Sequence, residues 1–321
     1  MRKSPAQLDH IVLLLPYRDI VKLPKWITDR FTITSGGKHS DGKTENRLIL
    51  FRDGTYLELI AFTRDDPEMR KGHRWDKDFG IVDFALTTRI EFNHATLQER
   101  MKASGSGVDY AEPVEGGRVT PDKRHLKWKV TIPQGIEPGA VPFWCHDLTP
   151  RERRVPAFDG NTHHPCGAVG VADILVDLAE KDFDRVCLAL PAVANLPEID
   201  DAAYTVSTPF AIGRPDEPKI RLRRRGTDEE QKLRLTLEIQ CPGRGDQPDV
   251  EESIGDGTVL INFVNGRNHD GKDEGKDRNS DKGKGKEKGK EKVKEMVKEK
   301  EKEKDRYLDV VLSRDDSSAS S

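Results

Sequence analysis

The chain has 321 residues, enough for two compact domains, with a net charge of −3 and 35% charged residues. This charge balance does not favour a nucleic-acid partner, because the clustered basic residues are confined to positions 221–225. No stretch reaches the roughly 18 apolar residues of a membrane span. The four cysteines are far apart and form no CxxC pair, which favours reduced thiols and a cytoplasmic protein.

The first sixty residues predict one strand, one helix and then three strands. Residues 8–15 form a short apolar run that ends at Pro16, as in a buried strand. Residues 23–30 have helical spacing, Gly36-Gly37 predicts a turn, and residues 32–34, 47–51 and 56–62 read as strands. Asp53-Gly54 is a hairpin signal between the last two strands. Residues 8–62 therefore predict one βαβββ unit.

The same order of elements recurs in residues 80–148. A strand is predicted at residues 81–87, a helix at 92–103 ending before Gly105, and strands at 108–114, 126–132 and 141–147. Each unit alone has an open sheet edge that it cannot satisfy. We therefore expect the two units to pair within one domain that spans residues 6–150.

A third, weaker βαβββ-like unit is predicted at residues 167–264, after a linker at 151–166. Its candidate strands are 169–178, 204–208, 220–224 and 233–241, and its helix, 179–190, is expected to stop at Pro191. This unit has no partner within the chain. It is expected to pack on the side of the pair or to meet a second copy of the chain in a homodimer.

Residues 265–321 form a low-complexity charged tail of Lys, Glu, Asp and Gly. Such a segment cannot bury enough apolar surface to offset its chain entropy, so disorder or a frayed helix is expected. The alternating Lys and Glu place like charges four residues apart, which works against an isolated helix. Residues 307–312 form a short apolar island, and it is a candidate contact motif.

Several motifs resemble the glyoxalase-like domains of the vicinal-oxygen-chelate superfamily. They are Leu8-Asp9-His10-Ile11-Val12-Leu13, Gly36-Gly37-Lys38-His39, Asp53-Gly54-Thr55-Tyr56-Leu57-Glu58-Leu59-Ile60-Ala61-Phe62, Pro142-Phe143-Trp144-Cys145-His146-Asp147 and Thr149-Pro150-Arg151-Glu152-Arg153-Arg154. The likeness covers about residues 6 to 178. It implies an α+β fold in which paired βαβββ units form a half-open barrel around one small-molecule ligand.

The resemblance implies a divalent metal site in that barrel. Its ligands, carried over by position, are His10 and Glu58 from the first unit and Asp83 and His146 from the second. Imidazole and carboxylate ligands suit Zn, Fe(II), Mn, Co or Ni. Polar residues inside apolar strands are costly unless they pair or bind something, which supports His10 and Glu58 independently. They could instead face solvent or be satisfied in the core, and a metal-free binding cup is the second interpretation.

The chemistry implied by a metal is Lewis-acid catalysis, with Glu58 moving a proton in an isomerase, lyase or dioxygenase reaction. A second hypothesis is a protein that captures an aromatic or hydrophobic compound without turning it over. A third is an interaction module whose charged tail binds a partner. Elemental analysis of the purified protein separates the first two hypotheses, and deletion of the tail tests the third.

Five further residues are candidates for binding the ligand: Asn46, Arg118, Trp128, Trp144 and His164. Arg118 can hold a carboxylate through two hydrogen bonds, and a tryptophan can stack on a flat substrate. The alternative is that they are edge-strand charges and core aromatics. His163-His164-Pro165-Cys166 could bind a metal, but the resemblance implies instead a segment that leads into the third unit and covers the pocket. The arginines of residues 151–154 are expected to pair with acidic neighbours.

Overall fold

The computed structural model describes residues 6–120, 122–196, 202–210, 217–225, 233–242 and 248–265. Its strands are β1 (Ala6–Leu14), β2 (Thr34–Lys38), β3 (Thr44–Leu50), β4 (Tyr56–Phe62), β5 (Gly80–Thr88), β6 (Asp109–Tyr110), β7 (Val114–Val119), β8 (His125–Thr131), β9 (Pro133–Gln134), β10 (Phe143–Asp147), β11 (Gly170–Leu178), β12 (Ala203–Thr205), β13 (Lys219–Arg224), β14 (Arg234–Gln240), β15 (Val250–Ile254) and β16 (Gly257–Val264). Its helices are α1 (Tyr17–Val21), α2 (Lys25–Thr28), α3 (Pro67–Arg70), α4 (His94–Ser104), α5 (Arg151–Arg154), α6 (Asp159–Thr162) and α7 (Glu180–Ala194). The charged tail predicted at residues 265–321 lies outside the described residues, apart from Asn265.

The first two repeats pair as the sequence predicts. In the first repeat, β1 runs parallel to β4, and β3 and β2 extend the sheet in antiparallel fashion. In the second repeat, β5 runs parallel to β10, followed by β8 and β7. An antiparallel pairing of β1 with β5 joins the two repeats. The α+β class and the paired βαβββ units are thus confirmed.

The far edges of these two repeats also meet, so the barrel has a second seam. His39 forms a backbone bridge with Arg118, and the Ser40 amide donates to the Gly117 carbonyl at 2.9 Å. The edge strands β2 and β7 are therefore not left open at this point. Eight strands, β2-β3-β4-β1-β5-β10-β8-β7, surround one interior.

Residues 170–264 contain a second pair of repeats rather than the single unit expected. β11 runs parallel to β13 and is joined by β12, while β14 runs parallel to β16 and is joined by β15. β11 and β14 pair antiparallel, as β1 and β5 do. A one-residue pairing of Thr258 with Gly80 links β16 to β5. The third unit therefore has its partner within the chain, because its last predicted strand, β14, begins a further repeat.

Helix α7 continues through Pro191, where the sequence predicted its end. Proline has no N–H, so the carbonyl four residues earlier, on Cys187, loses its helical donor. The hydroxyl of Tyr204 on β12 donates to that carbonyl at 3.3 Å. Asn195 ends the helix in the left-handed conformation, with φ of 52°. A long-range contact thus lets the helix pass its proline.

The sheet separates a large core from a smaller one inside the first barrel. The outer core buries one face of both pairs of repeats against α4 and α7, and it includes Ile11, Leu57 and Val186. The barrel interior carries a second apolar cluster built from Val12, Leu14, Ile60, Phe62, Val82, Ala85, Phe143 and Cys145. Helix α4 begins at Asn93, whose side chain accepts from the Thr96 amide, and ends at Gly105, as predicted.

The predicted linker folds against the barrel. α5 and α6 lie within residues 151–166, and Arg154 of α5 is 3% exposed. Within the described part of the chain, no helix is long and apolar enough to cross a membrane.

Candidate functional site

His10 and Glu58 meet inside the barrel of the first two repeats. His10 Nε2 lies 3.5 Å from Glu58 Oε2, and the two residues are 2% and 5% exposed. The parallel register sets His10 beside Tyr56 and Val12 beside Glu58, so the inward positions of β1 and β4 are neighbours. His10 also stacks on Tyr56, with ring centroids 4.7 Å apart. The structure therefore brings these two predicted site residues together.

Asp9 orients His10. The Asp9 carboxylate lies 2.8 Å from His10 Nδ1, and Asp9 is fully buried. Strict alternation would send the two side chains to opposite faces of the sheet. A register shift in β1 between Leu8 and His10 breaks this alternation. The contact favours the tautomer in which Nδ1 carries the proton, which leaves Nε2 facing Glu58.

Two arginines of α5 hold Asp9 as an anion. Arg154 Nη1 lies 3.0 Å from Asp9 Oδ2, and Arg151 Nη1 lies 2.5 Å from Asp9 Oδ1. Arg154 Nε also donates to Asp147 at 2.5 Å, and its Nη1 donates to the Tyr56 hydroxyl at 2.7 Å. Burial alone would raise the pKa of Asp9, but Arg154 and Arg151 hold it well below its usual value. The expected pairing is thus confirmed for Arg151 and Arg154, at a buried site.

Asn46 links Glu58 to Arg118. Asn46 Nδ2 donates to Glu58 Oε1 at 2.5 Å, and Arg118 Nη1 donates to Asn46 Oδ1 at 2.9 Å. His39 Nε2 lies 3.7 Å from Glu58 Oε1, and burial lowers the pKa of His39. Asn46 and Arg118, both predicted to bind ligand, thus belong to the cluster around Glu58. We call His10, Glu58, Asn46, His39 and Arg118 the polar centre.

Glycine at position 36 allows β2 to approach the polar centre. A Cβ on Gly36 would lie 2.1 Å from Asn46 Oδ1 and 2.2 Å from the Asn46 carbonyl oxygen. A side chain there would therefore displace Asn46. The predicted turn at Gly36-Gly37 is instead part of β2, because its glycines serve close packing. His39 follows directly at the barrel seam.

The four residues predicted to bind a metal do not converge. Asp83 is held elsewhere by Arg74 Nε at 2.6 Å and by Trp75 Nε1 at 3.1 Å. His146 alternates with Cys145 along β10 and so lies on the outer face, stacked on Phe92 with ring centroids 3.8 Å apart. Across the described ranges, no group of three His, Cys, Asp or Glu residues has the geometry to hold an ion. The residues present thus do not fit the expected four-ligand site.

Two of the remaining predicted residues lie away from the polar centre. Trp144 lies on the outer face, 5.3 Å from the Phe92 ring. His164 Nε2 lies 3.0 Å from the Leu50 carbonyl oxygen, and the Thr32 amide donates to His164 Nδ1. These contacts fasten the segment after α6 to the barrel and fix a neutral His164. Trp128 is closer to the polar centre, since its ring meets the His39 ring edge-on at 5.8 Å.

Sequence reasoning did not assign Asp9, Arg154, Asp147 or His39 to the site. Asp9 gave a signal, because it interrupts the same apolar run as His10. His39 gave a weaker one, since it closes one of the quoted motifs. Asp147 and Arg154 also close quoted motifs, but nothing else in the sequence distinguished them from surface charges. Their role depends on α5 folding back over the end of the barrel.

Two βαβββ repeats closed around a polar centre define a protein of the vicinal-oxygen-chelate class. The chain belongs to the Glyoxalase-like domain family, which matches residues 8–192, more than half of its length. No curated protein matches the chain.

Solved structures give the same class of fold. A hypothetical protein from Staphylococcus aureus matches with a TM-score of 0.55 and 14% identity, covering 81% of this chain and 100% of that chain. A catechol 2,3-dioxygenase matches with a TM-score of 0.40 and 10% identity, covering 82% of this chain and 89% of that chain. Methylmalonyl-CoA epimerase from Mycobacterium tuberculosis has a TM-score of 0.29 and 14% identity, with 46% and 93% covered. The first of these matches supports the fold, and none of them assigns an activity.

Proposed function

We propose that the first barrel binds a small oxygenated metabolite and that Glu58, with His10, exchanges a proton with it. The observation that carries this proposal is the 3.5 Å approach of His10 Nε2 to Glu58 Oε2 inside the barrel. Positioned acids and bases of this type accelerate reactions by about 10²–10⁴-fold. The substrate class that suits such a pair has an acidic C–H bond beside a carbonyl group.

The neighbours of His10 support a role in proton transfer. With the Nδ1 proton directed at Asp9, both Nε2 and Glu58 Oε2 are acceptors unless a proton lies between them. In the proposed reaction, one proton moves between this pair and a bound molecule. The Asn46 side chain donates to Glu58 and keeps its carboxylate in place. All of these groups are fixed by β1, β3 and β4, which favours a preorganised site.

The metal-dependent form of the hypothesis has less support than proton transfer. Asp83 is neutralised by Arg74, and His146 lies on the other face of its strand. The buried cation Arg118 belongs to the polar centre itself and would repel a divalent ion. The proposed reaction therefore uses protein side chains alone to transfer the proton.

Capture without turnover is the second candidate function. The observation in its favour is the apolar cluster that lines the barrel beside Glu58 and includes Ile60 and Phe143. An apolar wall with few polar groups is typical of small-molecule sites. This candidate predicts saturable binding of a compound that leaves the protein chemically unchanged.

Hydrogen exchange into small oxo compounds tests the proposed function. Full-length protein is incubated in heavy water with pyruvate, 2-oxobutyrate or butanone, and the loss of C–H signals beside the carbonyl is followed by proton NMR. The wild type is expected to exchange at least one of them, and Glu58→Gln to slow that exchange by about 100-fold or more. Glu45→Gln, on β3 with its register partner Ala61, is the control and should keep the wild-type rate. Equal rates in wild type and Glu58→Gln would refute the proposal.

A further inference from the structure

A cavity of ≈ 280 Å³ lies between the start of β2, the end of β7 and helix α5. Its walls are formed by Thr34, Ser35, Leu48, Arg118, Arg153 and Arg154, among others. Ligand pockets commonly measure about 300–1,000 Å³, so this cavity suits a small molecule. Through Arg118 and Asn46, its inner wall connects to Glu58.

Arg118 is buried beside this cavity without a carboxylate partner. The residue is 5% exposed, and its Nη1 and Nη2 donate to the oxygens of Asn46 and of the Arg154 backbone. Its Nε is buried and has no hydrogen-bond partner. Burial lowers the pKa of Arg118, although Tyr56 and Glu58 partly oppose this effect. A buried guanidinium lacking a direct counterion is costly, and an anion in the cavity would lower that cost.

A second residue of the cavity wall has a side-chain oxygen without a partner. Thr34 lines it, and its buried Oγ1 has no hydrogen-bond partner. Two other cations of the wall are already compensated, since Arg124 lies 2.7 Å from Asp122 and Arg154 pairs with Asp9, and a third, Arg153, is exposed. Among the buried groups of the wall, Arg118 Nε and Thr34 Oγ1 are therefore donors left available to a ligand.

We propose that this cavity binds the carboxylate group of a small organic acid through Arg118 and Thr34. The inference rests on the proposed function, because it names the class of molecule that the barrel takes. A guanidinium edge matches the two coplanar oxygens of a carboxylate. A phosphate dianion would need a second buried cation, and the remaining unpaired arginine of the wall, Arg153, is exposed. The carboxylate would lie at Arg118, whose hydrogen bond to Asn46 connects it to Glu58.

Binding of pyruvate, pyruvamide and inorganic phosphate tests the inference, measured by calorimetry on the Glu58→Gln protein so that turnover does not interfere. Pyruvate is expected to bind, and the neutral amide and phosphate to bind at least about tenfold more weakly, because the amide lacks the charge-assisted bond. Adding Arg118→Met should weaken pyruvate binding by about tenfold or more, and Thr34→Val by about threefold to tenfold. Arg118→Lys keeps the charge and should restore part of the affinity.

The controls separate binding from folding. Arg89→Met, at an exposed arginine of the second repeat, should leave pyruvate affinity unchanged. Thr34→Val removes one oxygen and tests the site even if Arg118→Met fails to fold, which thermal unfolding would reveal. Equal binding of pyruvate and pyruvamide, tight binding of phosphate alone, or full affinity in Thr34→Val would overturn the inference. Pyruvate binding without proton exchange in the wild type would refute the proposed function and leave this inference standing.

Discussion

The two halves of the described chain share one backbone plan. β1 and β11 each carry a register shift just before an inward polar residue, His10 in the first half and Asp173 in the second. Two residues after His10, Val12 pairs with Glu58 of the parallel strand β4. Two residues after Asp173, Leu175 pairs with Arg221 of the parallel strand β13. The halves therefore place different residues at matching sites. His10 faces Glu58, whereas Asp173 forms an ion pair with Arg221 at 2.8 Å.

The comparison shows that one set of residues determines the strand register and a different set determines the chemistry of the inward face. The bulge and the pairing follow from apolar residues that point to the outer core, such as Ile11 and Ile174. The inward polar residues are not fixed by that pattern. One half thus carries a pair able to share a proton, and the other carries an ion pair.

The halves also differ in closure. A bridge between His39 and Arg118 joins β2 to β7 in the first half. In the second half, β14 ends at Gln240 and β15 begins at Val250. No backbone pairing joins β12 to β15 among the residues described. A closed barrel excludes water and strengthens electrostatic interactions, so the first half is the better place for proton transfer.

The largest effect is expected from Arg154→Met, which removes a buried cation of the first half. Asp9 would remain buried with Arg151 as its one arginine partner and Asp147 would also keep only Arg151, so the free energy of unfolding should fall by about 3–5 kcal/mol. The control is Arg223→Met, which breaks a pair with Asp177 whose arginine side chain is 51% exposed, and should cost about 0–1 kcal/mol. Denaturant unfolding measures both. Equal losses would remove the distinction between a buried and an exposed network.

A smaller effect is expected from the titration of His164. Burial lowers the pKa of His164 to about 4, so as the pH falls below about 6.5 the unfolded chain takes up a proton that the folded chain resists. Its contribution, about 3 kcal/mol at most, should be lost between pH 6.5 and pH 4. His164→Gln should flatten that part of the stability profile, and the exposed His125→Gln should not. A profile unchanged by His164→Gln would contradict this assignment.

Gly36→Ala should lower the stability of the closed barrel by less than Arg154→Met does. Its Cβ would collide with Asn46, so β2 must shift, at a cost of about 1–3 kcal/mol in unfolding free energy. The Asn46 contact to Glu58 should loosen, and proton exchange should slow with it. Gly160→Ala is the matched control, because the nearest atom to its Cβ would be 3.4 Å away. Normal exchange in Gly36→Ala would show that the fit at Asn46 is not needed.

The smallest effect on exchange is expected from Asp173→Asn in the second half. This change breaks the pair with Arg221 but touches no residue of the polar centre. Exchange rates should stay within about twofold of wild type, as for independent sites. The NMR assay described for Glu58→Gln measures this. A strong loss would mean that the second half takes part in the reaction.

Much of the fold followed from the sequence. Apolar runs of strand length, the Asp53-Gly54 hairpin and the helix end before Gly105 gave the first two repeats in their correct order. Their pairing followed from the open sheet edge that each would otherwise leave. These signals come from residues close together in sequence, or from an order of elements that recurs along the chain. The same local reasoning failed at Pro191, where a hydroxyl distant in sequence satisfies the carbonyl that proline leaves free.

The site was decided largely by the tertiary structure. Residue type indicated His10 and Glu58, because polar groups inside buried strands need partners. Whether Asp83 and His146 would join them depended on a salt bridge to Arg74 and on the face that β10 turns inward. Asp9, Arg154 and Arg118 came together only through a bulge, a folded-back helix and a barrel seam. A pattern along one strand carries no information about such distant contacts, because each depends on how separate elements pack.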